Sequence, residues 1–369
     1  MIKFLKDMFP KKFGNYWKQI KNKDNFDKNL IDFTEKFIKS DSYKFVSNQW
    51  HLLNISDYNS LKNHGLSRYG SDISTHYFTF MNNYDHEHLE NLFNKLNDSE
   101  ILSLKSNIYK RQNNFDYKTS INYNLLCLLL FENLKKKPEL FKNLSQLNDR
   151  TYTGHNQPFI SIDGNNISSD KIISLFDYEK IYNFYESKKK NTFLEIGAGS
   201  GRLAECILSL KKDINYTICD IPPSIYISYE RMKIAFQNKK IGNLIDCNNS
   251  AALSKNILEN DINFIFPHQL SFIKNDFFSL VMAVDCLHEM DKKTLKMYFN
   301  FINNITENFY FSIWKKTKNW HSKTLFKKTE RLNFDKNDYS IPSNWKNIFK
   351  EDLIFPSTQF ALGYKINKW

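Results

Sequence analysis

Between Thr192 and Arg202 the chain reads Thr-Phe-Leu-Glu-Ile-Gly-Ala-Gly-Ser-Gly-Arg. Glu195 stands two positions before the first of three alternating glycines, Gly197, Gly199 and Gly201. The chain has only 10 glycines in 369 residues, so three within five positions point to a geometric need. Glycines placed so let the backbone turn sharply and let a ligand come close to the main chain. Asp220 follows Gly201 by 19 residues, where a carboxylate can accept both hydroxyls of a ribose. Farther on, Asp285-Cys-Leu-His-Glu-Met-Asp brings an acid, an imidazole at His288 and a second acid at Glu289 into five positions. Neutral imidazole, with an ordinary pKa of about 6.5, can take the proton of a hydroxyl as that hydroxyl attacks an electrophile. Glu289 could orient the imidazole or cap the helix that follows.

These groups need elements to hold them. Phe193, Leu194 and Ile196 predict a short buried strand before the glycines. Leu203, Ile207 and Leu210, with Ala204 and Leu208 beside them, predict an amphipathic helix after them. Ile214–Cys219 reads as a second strand ending at Asp220, with Pro222-Pro223 forbidding its continuation. Phe264–Phe266 reads as a third, followed by Pro267, His268 and Gln269. Phe278–Val284 is a fourth, ending at Asp285; Phe309–Trp314 is a fifth, and Gln359–Ile366 a last one. Helices are expected over Ile172–Tyr185 and Thr294–Ile302. Strands alternating with helices predict an α/β, Rossmann-like, doubly wound and mostly parallel sheet, taken here as seven-stranded. In such sheets ligands bind beyond the carboxyl ends of the strands. All the groups above fall there.

Residues 1–150 are patterned differently. Phe26, Leu30, Phe33 and Phe37 fall on one helix face, and Leu89, Leu92, Phe93 and Leu96 repeat the spacing. Tyr123–Leu134 is apolar nearly all round, so a helix buried on every side is expected, ended by Lys135-Lys136-Lys137-Pro138. Trp50-His51 and residues 68–80 mix aromatics with polar groups, a pattern of core and caps that would also suit a surface facing a sugar. Residues 151–166 read as a loop. The chain therefore divides into a helical N-terminal domain, 1–150, serving as substrate cover or for assembly, and a ligand-binding domain, 151–369.

Which ligand the glycine loop takes is bounded by charge. Gly199, Gly201 and Ala204 satisfy a loose dinucleotide pattern, G-x-G-x-x-A, so NAD and an oxidoreductase are one reading. A glycine turn without a ligand, in a non-catalytic partner subunit, is another. Glu195, however, would repel a pyrophosphate and suit a cation. S-adenosylmethionine has no phosphate and carries a sulfonium and an ammonium.

The net charge of +12 comes without an arginine-rich block or an RNA-binding signature, so no nucleic-acid partner is expected. An anionic, nucleotide-activated substrate is the other reading of that charge. Cys127, Cys206, Cys219, Cys247 and Cys286 lie far apart in apolar contexts with no C-x-x-C, and read as free thiols in a reducing compartment. Residues 1–17 lack the apolar core of a signal peptide. The longest apolar run, Leu125–Phe131, is far short of the ~20 residues that cross a bilayer. A cytoplasmic protein without a membrane span is expected. Asp285, His268 and His288 lack a recognised metal-site spacing, so no metal is assigned.

As an ordered set, LEIGAGSGRLAE (194–205), YTICDIPPSIYIS (216–228), FPHQL (266–270), CLHEM (286–290) and FSIWK (311–315) closely resemble the bacterial sugar O-methyltransferase family. That family lies within the class I S-adenosylmethionine-dependent methyltransferases, whose first motif is E-x-G-x-G-x-G. The resemblance covers roughly residues 150–369. It implies that Glu195, Gly197, Ala198, Gly199, Gly201 and Arg202 cradle the methionine part of S-adenosylmethionine, and that Asp220 with Ile221 takes the ribose. His268 and Gln269 stand where many members of the class carry an acid for the adenine amino group, a departure from the pattern. His288, Glu289 and Asp285 would form the catalytic group. The implied reaction moves a methyl group to a sugar hydroxyl in glycan or surface-polysaccharide biosynthesis, with a non-sugar hydroxyl or an amine as the rival acceptor. The expected partner is a small molecule or glycan, with self-association open.

Overall fold

A computed structural model describes residues 27–46, 57–58, 61, 65–66, 86–104, 107–108, 117–147, 159–185, 191–244, 247, 249–315, 339, 341–357 and 359–368. Phe26, Trp50, His51, residues 68–80 and the 150/151 division lie outside that set.

At the centre of the described residues is an eight-stranded sheet. In chain order its strands are β3 (Thr192–Ile196), β4 (Asn215–Cys219), β5 (Ile241–Leu244), β6 (Ile262–Ile265), β7 (Leu280–Val284), β8 (Asn308–Trp314), β9 (Trp345–Asp352) and β10 (Gln359–Ile366). They lie side by side as β5-β6-β4-β3-β7-β8-β10-β9. The pairings from β5 to β8 are all parallel, and β10 runs antiparallel to both β8 and β9. The chain works outward from β3 to one edge and then returns to place β7 on the other side of β3. This reversal opens a crevice at the carboxyl ends of β3, β4 and β7, where an open α/β sheet takes its ligand.

Six strands were placed from the sequence and seven were expected; the described sheet has eight, and the two unplaced ones are β5 and β9. The sequence of β5, Ile-Gly-Asn-Leu, carries two poor strand formers, and it survives as a short edge strand paired only with β6. The long edge strand β9 is Trp-Lys-Asn-Ile-Phe-Lys-Glu-Asp; most of its side chains are exposed and half are charged, which protects a sheet edge. A third difference lies at residues 159–166, expected as loop. There β1 (Ile160–Ile162) and β2 (Asn165–Ile167) form a hairpin about Asp163-Gly164, both with positive φ. Asp-Gly is a favoured two-residue hairpin turn, and it accounts for strands where a loop is expected.

Both faces of the sheet are covered, so alternate residues of each strand enter different cores. Phe193, Tyr216, Ile218, Phe264 and Met282 point to one core, with Leu203 and Ile207 of α7 (Arg202–Leu210) and Ile225 and Met232 of α8 (Ser224–Ala235). Leu194, Ile196, Ile265 and Val281 point to the other, with Leu253 of α9 (Ser250–Leu258) and Phe299 of α10 (Lys292–Ile305). Burial on both faces is what gives parallel strands their nearly unbroken apolar runs.

The N-terminal helices share these cores. In α1 (Lys28–Lys39), Leu30, Phe33 and Phe37 are buried as their spacing predicts, against Tyr226, Tyr229 and Phe266. Before the third core come α2 (His86–Phe93), α3 (Asp98–Leu104), α4 (Tyr117–Lys135) and α5 (Pro138–Phe141). Leu126–Phe131 of α4 are all buried, in a core completed by Ile172, Leu175 and Phe176 of α6 (Ser169–Phe184). Within the predicted face of α2, Leu92 is buried but Phe93 is exposed.

Gly363 of β10 is pinned between rings. A Cβ there would meet Phe349 at less than contact distance and Phe184 Cδ2 at 2.7 Å. Overpacking of this kind costs about 1–3 kcal/mol. Gly363→Ala should therefore lower the melting temperature measurably by calorimetry, and by more than Gly164→Ala, where no described residue lies within 4 Å of the added Cβ.

Candidate functional site

Beyond Ile196 the chain turns on glycines in the left-handed region, with φ of 70° at Gly197 and 58° at Gly199. Gly197 N–H donates to the Cys219 carbonyl at 2.9 Å, which stitches the start of the loop to the end of β4. On its other side a Cβ would fall 2.7 Å from Cys286 Cβ, so any side chain at 197 is excluded by the segment after β7. Gly199 differs: among the described residues, nothing lies within 4 Å of where its Cβ would be. It forms the open side of the cradle.

Asp220, at the end of β4, closes the loop. Its two oxygens accept the Gly199 and Ile221 amides, each at 2.7 Å. Burial pushes its carboxyl up to about 7, against the pull of those two bonds. Glu195 is buried on β3. The alternation of that strand turns it toward Tyr216, diagonally across on β4, whose hydroxyl donates to Oε2 at 2.7 Å. Burial likewise pushes Glu195 up to about 7, opposed by the Tyr216 bond and by Arg202. Ala198 and Ile221 are buried beside these groups.

Arg202 opens α7, but it points back to α6: Nη1 donates to Asp177 Oδ2 at 3.0 Å and to Ser174 Oγ at 3.1 Å. Burial works against its charge, and Asp177, Asp170 and Asp285 outweigh that and keep it protonated. In these contacts it serves as an internal counter-charge to Asp177. Asp177, Asp170, Asp285 and Glu195 all interact electrostatically with this one guanidinium, whereas Asp220 relies on its two backbone amides. Among the described residues, no group of three or more His, Cys, Asp or Glu is arranged to hold a metal.

Asp285 adopts φ of 57°, uncommon for a residue with a side chain and found where surroundings hold it. Its amide donates to Ser312 Oγ at 3.0 Å, and Gln359 of β10 donates to its Oδ1. His288 lies on the single 3₁₀ turn Leu287–Glu289, with Nε2 3.6 Å from Asp285 Oδ1. Glu289 ends that turn, partly buried. Cys286 Sγ donates to the Ile196 carbonyl at 3.2 Å, and burial raises its thiol well above the ordinary range, so it acts as a packing residue.

His268 and Gln269 do reach the end of β6, but both make internal contacts. His268 Nδ1 is 2.5 Å from Ser42 Oγ, on the segment after α1. Gln269 is fully buried, accepting from the Phe266 amide at 2.8 Å and donating to the Cys247 carbonyl at 2.9 Å. Sequence reading passed over Tyr216, Asp177, Ser42, Ser312 and Gln359. Only Tyr216 carried a local signal, through strand alternation; the others are brought in from distant elements.

No protein-family model matches the sequence, and no curated protein matches it. Among solved structures, a methyltransferase dependent on S-adenosylmethionine from Clostridium acetobutylicum is similar at 13% identity and a TM-score of 0.36, over 53% of this chain and 91% of that one. Mitomycin 7-O-methyltransferase MmcR is similar at 11% and 0.33, over 64% and 60% of the two chains. M. capricolum TrmK with S-adenosyl-homocysteine is similar at 11% and 0.33, over 53% and 69%. Scores of this size carry no function from those proteins to this chain.

The raised carboxyls of Asp220 and Glu195 set a sign for pH dependence. From the ordinary carboxylate range up to about 7 the folded chain keeps protons that the unfolded chain has released. Their contribution to stability is therefore lost as pH rises through that window, by on the order of a few kcal/mol in total. Melting temperature of the ligand-free protein should fall from pH 5 to 8 because of these two groups, and Asp220→Asn or Glu195→Gln should each flatten that fall. An unchanged slope in both variants would mean that the carboxylates are solvated.

Proposed function

We propose that this chain is an S-adenosylmethionine-dependent O-methyltransferase that methylates a sugar hydroxyl, in glycan or surface-polysaccharide biosynthesis. The observation that carries the proposal is the pairing of two buried, under-compensated carboxylates, Glu195 and Asp220, with a glycine cradle open at Gly199. That donor set suits a cationic ligand bearing a ribose and disfavours a pyrophosphate, which argues against NAD. The choice of a sugar rests on the resemblance carried by residues 216–228 and 286–290.

When bound, S-adenosylmethionine supplies a methyl carbon made electrophilic by its sulfonium. The chain does the rest. Glu195 faces the cationic end, and Asp220 with the Ile221 turn takes the ribose hydroxyls. His288, backed by Asp285, accepts the proton of the acceptor hydroxyl, and Glu289 lines the same rim. Asp285 is itself held by Ser312 and Gln359, so the imidazole has a fixed counter-ion behind it. Alignment of the two reactants supplies most of the acceleration, up to roughly 7–11 kcal/mol in favourable models. Residues 1–150 would cover the acceptor, consistent with the packing of α1 against α8 and against Phe266 at the end of β6.

Mass-spectrometric detection of methylated product over a panel of free and nucleotide-linked sugars tests the reading. Transfer to a hydroxyl is expected, with His288→Ala slower by about 10²–10⁴-fold and cofactor affinity unchanged. His288→Gln, which keeps a polar side chain without a base, should be as slow as the Ala variant. Transfer only to amines or non-sugar hydroxyls would displace the sugar assignment, and a fast Gln variant would remove His288 as the base.

A further inference from the structure

Ser200 lies between two left-handed glycines, and its backbone and side chain are both gripped from below. Arg231 of α8 donates from Nη1 to Ser200 Oγ at 3.0 Å and to the Ser200 carbonyl at 3.3 Å. The same guanidinium donates from Nε to Glu205 Oε2 at 2.6 Å in the first turn of α7. Its Nη1 also lies 3.9 Å from Asp170 at the start of α6. Arg231 is only 5% exposed. Burial raises the Glu205 carboxyl while Arg231 pulls it down, as expected of a buried pair. Beside it, Ser228 and Met232 on the same helix stand 3.1 and 3.3 Å from where a Gly201 Cβ would be. Three successive side chains of one helix face therefore press on residues 200–201.

That helix is also the continuation of the Asp220 turn, since α8 begins at Ser224 directly after Pro222-Pro223. The loop and the turn are joined above by the Gly199–Asp220 bond and below by Arg231. We infer that Arg231 is a positioning residue that fixes the curvature of the 197–201 loop relative to Asp220, so that the cofactor meets a preformed cradle. The inference deepens the cofactor reading above and rests on it for its consequence, although not for the clamp itself. A planar guanidinium is needed because it spans Glu205 and Ser200 at once; an ammonium keeps the charge but cannot hold both in that geometry.

Two measurements on the full-length chain separate the possibilities. In amide hydrogen exchange, Arg231→Lys should speed exchange in peptides covering 198–202 and leave β8 peptides unchanged. In calorimetric titration with S-adenosylhomocysteine, the same variant should bind about 10- to 100-fold more weakly, the loss of charge-assisted bonds to the loop. Because Arg231→Lys could act through general destabilisation, the double variant Arg231→Met, Glu205→Gln is the second arm. It removes both members of the buried pair, so the melting temperature should recover toward the wild type while the affinity should not. Recovery of both would overturn the inference, because Arg231 would then only neutralise Glu205. Unchanged exchange and affinity in Arg231→Lys would overturn it as well. If exchange rises but the wild type fails to bind S-adenosylhomocysteine, the clamp stands and the cofactor assignment falls.

Discussion

Two carboxylates that the fold buries without fully neutralising them set the terms for everything around the crevice. Removing a carboxylate from water is costly unless hydrogen bonds and opposite charge offset it. Glu195 receives one phenol and the distant field of Arg202, and Asp220 receives two backbone amides. Both carboxyls are consequently pushed up to about 7. A chain selected for stability alone would place apolar residues at these strand ends. Keeping two acids there makes sense where a cationic ligand supplies the missing charge.

The surrounding elements serve that arrangement by fixing the backbone. β3 and β4 bring Glu195 and Tyr216 onto the same face, and β7 advances Cys286 so close that residue 197 must lack a side chain. α6 supplies Asp177 to engage Arg202, which keeps a positive charge near the acids. On the far side, β10 lends Gln359 to Asp285 and so stiffens the segment that carries His288. The antiparallel extension of the sheet thus contributes to the rim as well as to the core.

How much of this was legible in the sequence follows from the range of each interaction. The glycine loop, Asp220 and the turn after β7 were readable because each lies within a few residues of a buried apolar run, and the topology brings such strand ends together. The strand β10 was readable for the same reason. β5 was not, since Gly242 and Asn243 suppress its pattern, and its place at the sheet edge depends on β6 alone. The contacts of Arg202, His268 and Gln269 were not legible because their partners, Asp177, Ser42 and Cys247, come from other elements. A long side chain at a loop can turn toward a ligand or away from it, and only packing decides. The same limit hid Gln359 behind Asp285.

Which cofactor the crevice takes is the decisive property. Calorimetric titration of the purified full-length chain with S-adenosylhomocysteine, and separately with NAD, measures that directly. The account predicts binding of S-adenosylhomocysteine at one site, with thermal stabilisation of about 2.7 kcal/mol once the ligand reaches a hundred times its dissociation constant. It predicts no heat with NAD. Saturable NAD binding, with none for S-adenosylhomocysteine, would contradict it.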